Sequence, residues 1–451
     1  MLAAGLFVFA IPAGLLLREL VKRPQRAVLL LAALTPFDGL LLLTDGPDIR
    51  AAWKEGLILL TLAATFVAPR SARAQRPAGI PAWLGPVLAI IAFSLATGTG
   101  LHAPVLLAGL KVDHFYLLLP LILWRCPLDE RERDHLVTVL MFTAVVTAAA
   151  GIAQQLLGQV TLNALGYDFN TVIRTAGDSV LRSFGTFESP FPFAFFVVFV
   201  VAVAVPIALQ EPARLRNRLF LLCTPILVIG MLTAVVRAAL LALVVAGLYH
   251  LIRNYRAALS LAPALLLFVA IAPSTLIGAV LSSRSLGQRV DGWSIVTSTV
   301  IAQPFGTGVG TTSSAAEVAG DFGGEIEETF GLPPDLLPYQ PDNYYIKRLL
   351  ELGAVGLWLT IAMLRHVIES AREVRNRAGP RDQALIDGWI ASVLGAAAAA
   401  TVATYWEIFP LDLYFYLLLG VLTSIDRAAS PSQRSPSNQT VAASRPTFVN
   451  S

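Results

Sequence analysis

"QPDNYYIKRLLELGAVGLWL", residues 340–359, passes from polar residues straight into an apolar helix. Asp342, Asn343, Lys347 and Arg348 stand at the threshold of what reads as a membrane span. Charges are kept out of such places unless a partner or a function holds them there. The apolar texture is not local. Of 451 residues, 56% are hydrophobic and only 14% charged, with a mean hydropathy of +0.68. A soluble domain carries roughly 45–50% apolar and about 25% charged residues. Too few charges remain to coat a soluble surface of this size. Apolar runs of roughly 17–25 residues, the length that spans a bilayer as a helix, recur throughout. The expected fold class is an all-α, polytopic membrane protein.

The predicted spans fall near 2–17, 27–43, 55–68, 83–99, 104–124, 136–157, 190–210, 219–236, 238–252, 257–281, 349–364, 386–404 and 409–424. That makes about 12–13 transmembrane helices in one membrane domain, residues 1–427, followed by a Ser- and Pro-rich tail, 428–451, expected to be disordered. No basic stretch precedes the first apolar run, which is therefore read as a span and not as a cleaved signal. Lys and Arg in short loops mark the cytoplasmic side. Arg18 to Arg26, Arg70 to Arg76, Arg125 to Arg133, Arg214 to Arg218, Arg253 with Arg256, and Arg365 to Arg381 are separated by even numbers of spans. One topology satisfies all of them, with the N-terminus outside and the tail inside. Cys126 and Cys223 then lie near the inner ends of helices, where a structural disulfide is not expected. Two long loops, 158–189 and 282–348, fall together on the outer face, which is where recognition or chemistry is expected.

Exported arginines break the bias and can be read for that reason. Arg174, Arg182, Arg237, Arg284 and Arg289 all fall on the outer side. Arg237 is the sharpest case, standing in "LTAVVRAALLALVV" (232–245) with no other charge for many residues either way. A charge at the bilayer centre costs roughly 2.5–3.5 kcal/mol on insertion scales, so an interfacial turn is its expected place. The bland alternative for each arginine is a solvated loop or a lipid headgroup contact. Guanidinium groups, however, bind phosphates through a planar fork of donors. Several converging at the outer surface would suit a pyrophosphate, and a lipid-linked sugar diphosphate is the form presented there. The net charge of +3 is too small to point to nucleic acid.

These arginines sit in four motifs that resemble the O-antigen ligase and polymerase superfamily of bacterial membrane glycosyltransferases. "LRSFGTFESPFPFAFF" (181–196) is similar to its arginine-glycine-threonine-phenylalanine element, and "LTAVVRAALLALVV" to the threonine and arginine that enter a new helix. "GQRVDGWSIVTSTVIAQPFGTGVGT" (287–311) resembles its arginine, tryptophan and proline-glycine-x-glycine pattern, and "DNYYIKRLLELGAVGL" (342–357) its histidine-asparagine and leucine-glutamate-x-glycine helix. The resemblance covers residues 181–357 and implies a GT-C-like helical membrane fold with a large extracytoplasmic loop. It implies transfer or polymerisation of an undecaprenyl-diphosphate-linked glycan onto an acceptor hydroxyl, either a glycan or a lipid-linked acceptor. The location implied is the periplasmic or extracellular face of the bacterial cytoplasmic membrane, with no cofactor and no essential metal. Donor-diphosphate roles fall to Arg182, Arg237, Arg289 and Arg284, the catalytic role to Asp342 with Arg237, and supporting roles to Asn343 and Glu351.

Asp342 departs from the pattern, standing where the family has a histidine. A carboxylate also accepts a hydroxyl proton, though as a weaker base than imidazole unless its surroundings tune it. Asp342 as base, another base, and catalysis carried by arginines at the leaving group all remain open. As a fourth reading, Asp342 or Asn343 caps the helix that follows. Gly306 to Gly310 resembles a phosphate cradle but lacks the Lys-Ser/Thr ending and follows no strand, so it is read as a tight turn folding the loop back onto the membrane domain. Glu325, Glu327 and Glu328 read as a solvated face. Lys111, Asp113 and His114 inside 104–124 support a rival function, a polysaccharide or lipid transporter or flippase, since ionisable groups within a span often mark a pathway. Against that reading stand the one-sided loops and the absence of a hydropathy repeat.

Overall fold

The computed structural model describes residues 18–43, 52–69, 81–167, 174–176, 180–253, 293–318 and 341–429. The spans predicted at 2–17 and 257–281, the arginines at 70–76, Arg256, Arg284, Arg289, Glu325 to Glu328 and the tail beyond 429 lie outside them. In chain order the helices are α1 (Gln25–Leu34), α2 (Trp53–Val67), α3 (Leu84–Thr97), α4 (Ala103–His114), α5 (Leu118–Arg125) and α6 (Glu130–Ala164). A hairpin of β1 (Arg174–Ala176) and β2 (Val180–Arg182) precedes α7 (Pro190–Gln210), α8 (Leu215–Thr233) and α9 (Arg237–Arg253). Then come α10 (Trp293–Ala302), α11 (Ser313–Val318), α12 (Tyr344–Arg377), α13 (Pro380–Ala399) and α14 (Leu411–Ala429).

The protein is mostly helical, and five of the described helical segments are long and apolar enough to cross a membrane: Ala103–Arg125, Glu130–Ala164, Pro190–Gln210, Leu215–Thr233 and Tyr344–Arg377. The expected span at 190–210 coincides with α7. The one at 104–124 is interrupted by a 3-10 turn at Phe115–Leu117, and that at 27–43 passes into a 3-10 segment at Thr35–Leu43. The span at 349–364 is part of a longer helix, because its charged continuation stays helical to Arg377, helped by an i,i+4 pair between Arg365 and Glu369. The two-stranded hairpin was not anticipated in an all-α reading.

Composition explains the layering. α7 is apolar on every side and nearly all of it is buried, so it forms the axis of the bundle. α6, α8, α9 and α13 pack around it. Leu60, Phe66, Phe142, Leu222, Leu248, Trp358 and Ile361 instead face outward on other helices, an apolar exterior suited to lipid.

Charge orders the two ends. Arg133 makes a two-pronged bond to Asp382, at 3.2 and 3.0 Å, while Asp134 receives Arg216 at 2.6 Å and also Arg381. Gln25 reaches Glu132, and Arg377 pairs with Asp426. Among the described residues, the loops predicted to be cytoplasmic near 18–26, 125–133, 214–218 and 365–381 therefore gather at one end. α6 carries the chain to the other end, where the hairpin, the start of α9 and the start of α12 lie.

Two long helices contain a break, α6 at Gly158 and α12 at Gly353, and a loop fills the second. At Gly353 α12 adopts φ +64°, and the 303–310 loop enters the break. Thr307 N–H donates to the Leu350 carbonyl at 2.8 Å and Gly308 N–H to that of Glu351 at 2.9 Å. Non-helical backbone at membrane depth persists only where protein satisfies it, and this loop does so. Gly306 (φ +90°) has room for hydrogen alone, since a Cβ there would lie 2.2 Å from the Glu351 carbonyl oxygen. Gly306→Ala is expected to lower stability by more than the roughly 1–3 kcal/mol of backbone strain by itself. Gly56→Ala, at a helical site with open space, should not. Melting temperatures of the two detergent-solubilised variants check the contrast.

Candidate functional site

Two glutamines of α6 shape the segment that carries Arg182. Gln154 donates to the Gly185 carbonyl at 2.7 Å and accepts from the Phe184 and Gly185 N–H groups at 3.0 and 2.9 Å. Gln155 donates to the Leu181 carbonyl at 2.6 Å. The backbone of 181–185, which joins no long ladder, is thus satisfied by side chains, as buried polar groups must be. Ser183 N–H then donates to the Thr233 carbonyl at 3.1 Å, and Arg182 Nε to that of Ala234 at 3.1 Å. The guanidinium also stacks over Phe191, 4.9 Å from its ring centre.

Thr233 and Ala234 begin the turn that leads into Arg237, the first residue of α9. Within that turn Val235 has φ +53°. A β-branched residue in the left-handed region is a true outlier, costing of order 1–3 kcal/mol, and such strain tends to be kept where function needs it. Both Arg182 and Arg237 are half-buried. Across the hairpin Arg174 stands directly opposite Arg182 in register. Of the predicted donor set, Arg182 and Arg237 are thus brought to one neighbourhood, while Arg284 and Arg289 lie outside the described residues.

At the start of α12 the cap is Asn343. Its side-chain oxygen accepts from the Tyr345 and Ile346 N–H groups at 2.9 and 3.1 Å, and its amide donates to the Thr401 carbonyl. Asp342 precedes the cap and is exposed. The capping role expected of either residue belongs to Asn343, which leaves the Asp342 carboxylate outside the helix. Packing of α9 antiparallel to α13, with Ala242 against Gly395 and Tyr249 bonded to Asp387, puts Arg237 and Thr401 at the same end.

Beneath this end, Lys347 and Arg348 turn into the core. The Lys347 ammonium meets Asp113 at 3.1 Å, Glu351 at 3.4 Å and Glu407. Arg348 meets the other Asp113 oxygen at 2.6 Å and donates to the Tyr344 hydroxyl at 2.8 Å. All five charged groups are buried, Lys347 to 0% exposure. Glu351, expected to support the site, spends its second oxygen on the Gly310 N–H at 3.1 Å and the Thr312 hydroxyl at 2.9 Å. Burial pushes the Glu407 carboxyl up, against the pull of Lys347. A small cavity of about 20 Å³, room for one or two waters, adjoins Asp113, His114 and Arg348.

This arrangement separates residues that the sequence grouped. Lys111 pairs with Glu55 at 3.1 Å on a half-exposed surface, while Asp113 points inward to α12. Asp113 and His114 border the same small cavity, which Lys111 does not line. Glu407 and the two glutamines were missed. Their signal was available: ionisable or amide side chains inside apolar or aromatic runs, as in "YWEIFP" and "IAQQLL". Among the described residues no cluster of His, Cys, Asp and Glu suited to a metal ion occurs.

Compared with models of known protein families and with curated proteins, the chain matches none. Removing one partner from a buried ion network typically costs 3–5 kcal/mol because it strands a charge, so about that loss is expected for Asp113→Ala. Lys111→Ala should change stability by no more than about 0.5 kcal/mol. Denaturant unfolding in detergent distinguishes them.

Proposed function

We propose that this chain is a membrane glycosyltransferase that moves a glycan from undecaprenyl diphosphate to an acceptor hydroxyl, in the manner of O-antigen ligases and polymerases. The observation that carries this reading is the bond from Arg182 to the Ala234 carbonyl, which ties one arginine-bearing segment to the turn that launches Arg237. The strained Val235 supports it, since backbone strain of this kind tends to be kept where function needs it. In this reading the end bearing the hairpin is periplasmic or extracellular, opposite the end where the basic loops gather.

The chemistry needs little more. The acceptor oxygen attacks the anomeric carbon, the bond from that carbon to the diphosphate oxygen breaks, and its electron pair leaves with the diphosphate. Arg182 and Arg237 offset the charge that develops there, and Asp342 takes the hydroxyl proton. Of the residues that raised the transporter reading, Asp113 is held by Lys347 and Arg348 and Lys111 by Glu55, a pairing that favours the transferase.

Hydrogen bonds to a charged partner contribute roughly 1.5–3 kcal/mol, so Arg237→Ala should cut glycan transfer at least about tenfold with membrane insertion intact. Arg237→Lys should restore part of it, an ammonium lacking the planar fork. Asp342→Asn should keep the melting temperature, Asn343 being the cap, and lose about 10²–10⁴-fold in transfer. Parental rates in that variant would remove Asp342 from the chemistry. The facing of this end is checked separately. In a background lacking Cys126 and Cys223, a cysteine at position 237 or 342 should react with an impermeant maleimide added to spheroplasts, and one at position 216 should not.

A further inference from the structure

At the end where the basic loops gather, a hollow of about 610 Å³ opens between the start of α1 and the start of α6. Arg23 and Arg26 form one wall, and Arg131 and His135 the other. Arg131 and His135 are one turn apart on α6 and share a face. Both are exposed, and neither makes a hydrogen bond or ion pair among the described residues. Arg23 and Arg26 approach a single oxygen of Glu132, each at 3.7 Å, too far for a hydrogen bond. Arg26 also reaches Glu19 at 3.4 Å.

The two carboxylates of the hollow are already committed. Asp129 accepts from the Glu132 N–H at 2.7 Å, and Glu132 returns the bond to the Asp129 N–H at 3.1 Å while also receiving Gln25. This reciprocal capping box starts α6 and needs both acids. Three arginines line the hollow against two carboxylates, and although Glu19 outside it takes one bond from Arg26, Arg131 has no acidic partner among the described residues and several guanidinium donors stay unfilled. The hollow has one apolar lining residue, and an aromatic ring is exposed further along α6, beyond Thr138. Leu29 lines it, and Phe142, eleven residues or about three turns beyond Arg131 on the same face of α6, is 67% exposed. Cationic groups at the end of a span, with an exposed apolar ring further along it, match the two halves of an anionic phospholipid.

We propose that this hollow binds the phosphate headgroup of an anionic phospholipid, with its acyl chains lying along α6 past Phe142. The site is independent of the glycan-transfer reading and lies at the opposite end of the bundle. A lipid and a free phosphate share the headgroup chemistry, and the exposed apolar ring favours the lipid.

The test uses the full chain in dodecyl maltoside and reads the melting temperature on adding phosphatidylglycerol, phosphatidylcholine or inorganic phosphate. Phosphatidylglycerol should stabilise the protein at concentrations where the other two do not. Arg131→Gln combined with His135→Gln should leave the lipid-free melting temperature unchanged and weaken the apparent affinity for phosphatidylglycerol at least about fivefold, the effect of one charge near a membrane surface. Arg23→Gln should weaken it by a second route, and Arg131→Lys should retain it. An equal response to phosphatidylcholine, a response to phosphate alone, or an unchanged response in the double variant and in Arg23→Gln would each overturn the proposal.

Discussion

Lys347 carries a positive charge to a place where its own exposure is nil, and three carboxylates answer it. In a low-dielectric interior a stranded charge costs several kcal/mol, so Asp113, Glu351 and Glu407 have little freedom to be elsewhere. Each comes from a different part of the chain. Asp113 ties α4 to α12, Glu407 ties the connection before α14, and Glu351 reaches out to Gly310 and Thr312. The bundle is thereby registered along one axis. Hydrophobic burial alone would not do this, because apolar helices slide past one another at small cost.

The break in α12 follows from the same constraint. Glu351 must face Lys347 one turn earlier while its backbone carbonyl is released at Gly353. The loop through Gly306 and Gly308 supplies the missing N–H donors, and Glu351 holds the far side of that loop with its carboxylate. One glutamate therefore orders a helix, a break and a loop. Above it, Asn343 starts the helix and leaves Asp342 exposed.

The arginine-bearing end is organised by different means. Its irregular backbone is held by amides: Gln154 and Gln155 from α6 and the carbonyls of Thr233 and Ala234. Arg182 and Arg237 are half-buried there, whereas Lys347 and Arg348 are enclosed by the core. The same contrast separates Arg131 and His135 from Arg133 at the other end, where Arg133 is bound to Asp382.

What the sequence determined by itself was the class of fold, the placement of most described helices and the gathering of basic segments at one end. These depend on composition over about twenty residues and on loop charge, which are local quantities. The span at 190–210 was legible to the residue because every side of it is apolar. The tertiary structure alone decided which charges are structural. Lys347 and Asp113 stand 234 residues apart, and no local pattern names that pairing. Helical spacing put Lys111 and His114 on one face and Asp113 off it, but only packing showed that Asp113 answers Lys347 and Lys111 answers Glu55. The cap was likewise undecided between Asp342 and Asn343 until the φ/ψ of the turn chose Asn343. Whether a charge is a ligand or a rivet depends on what packs against it, and that is settled only when distant segments meet.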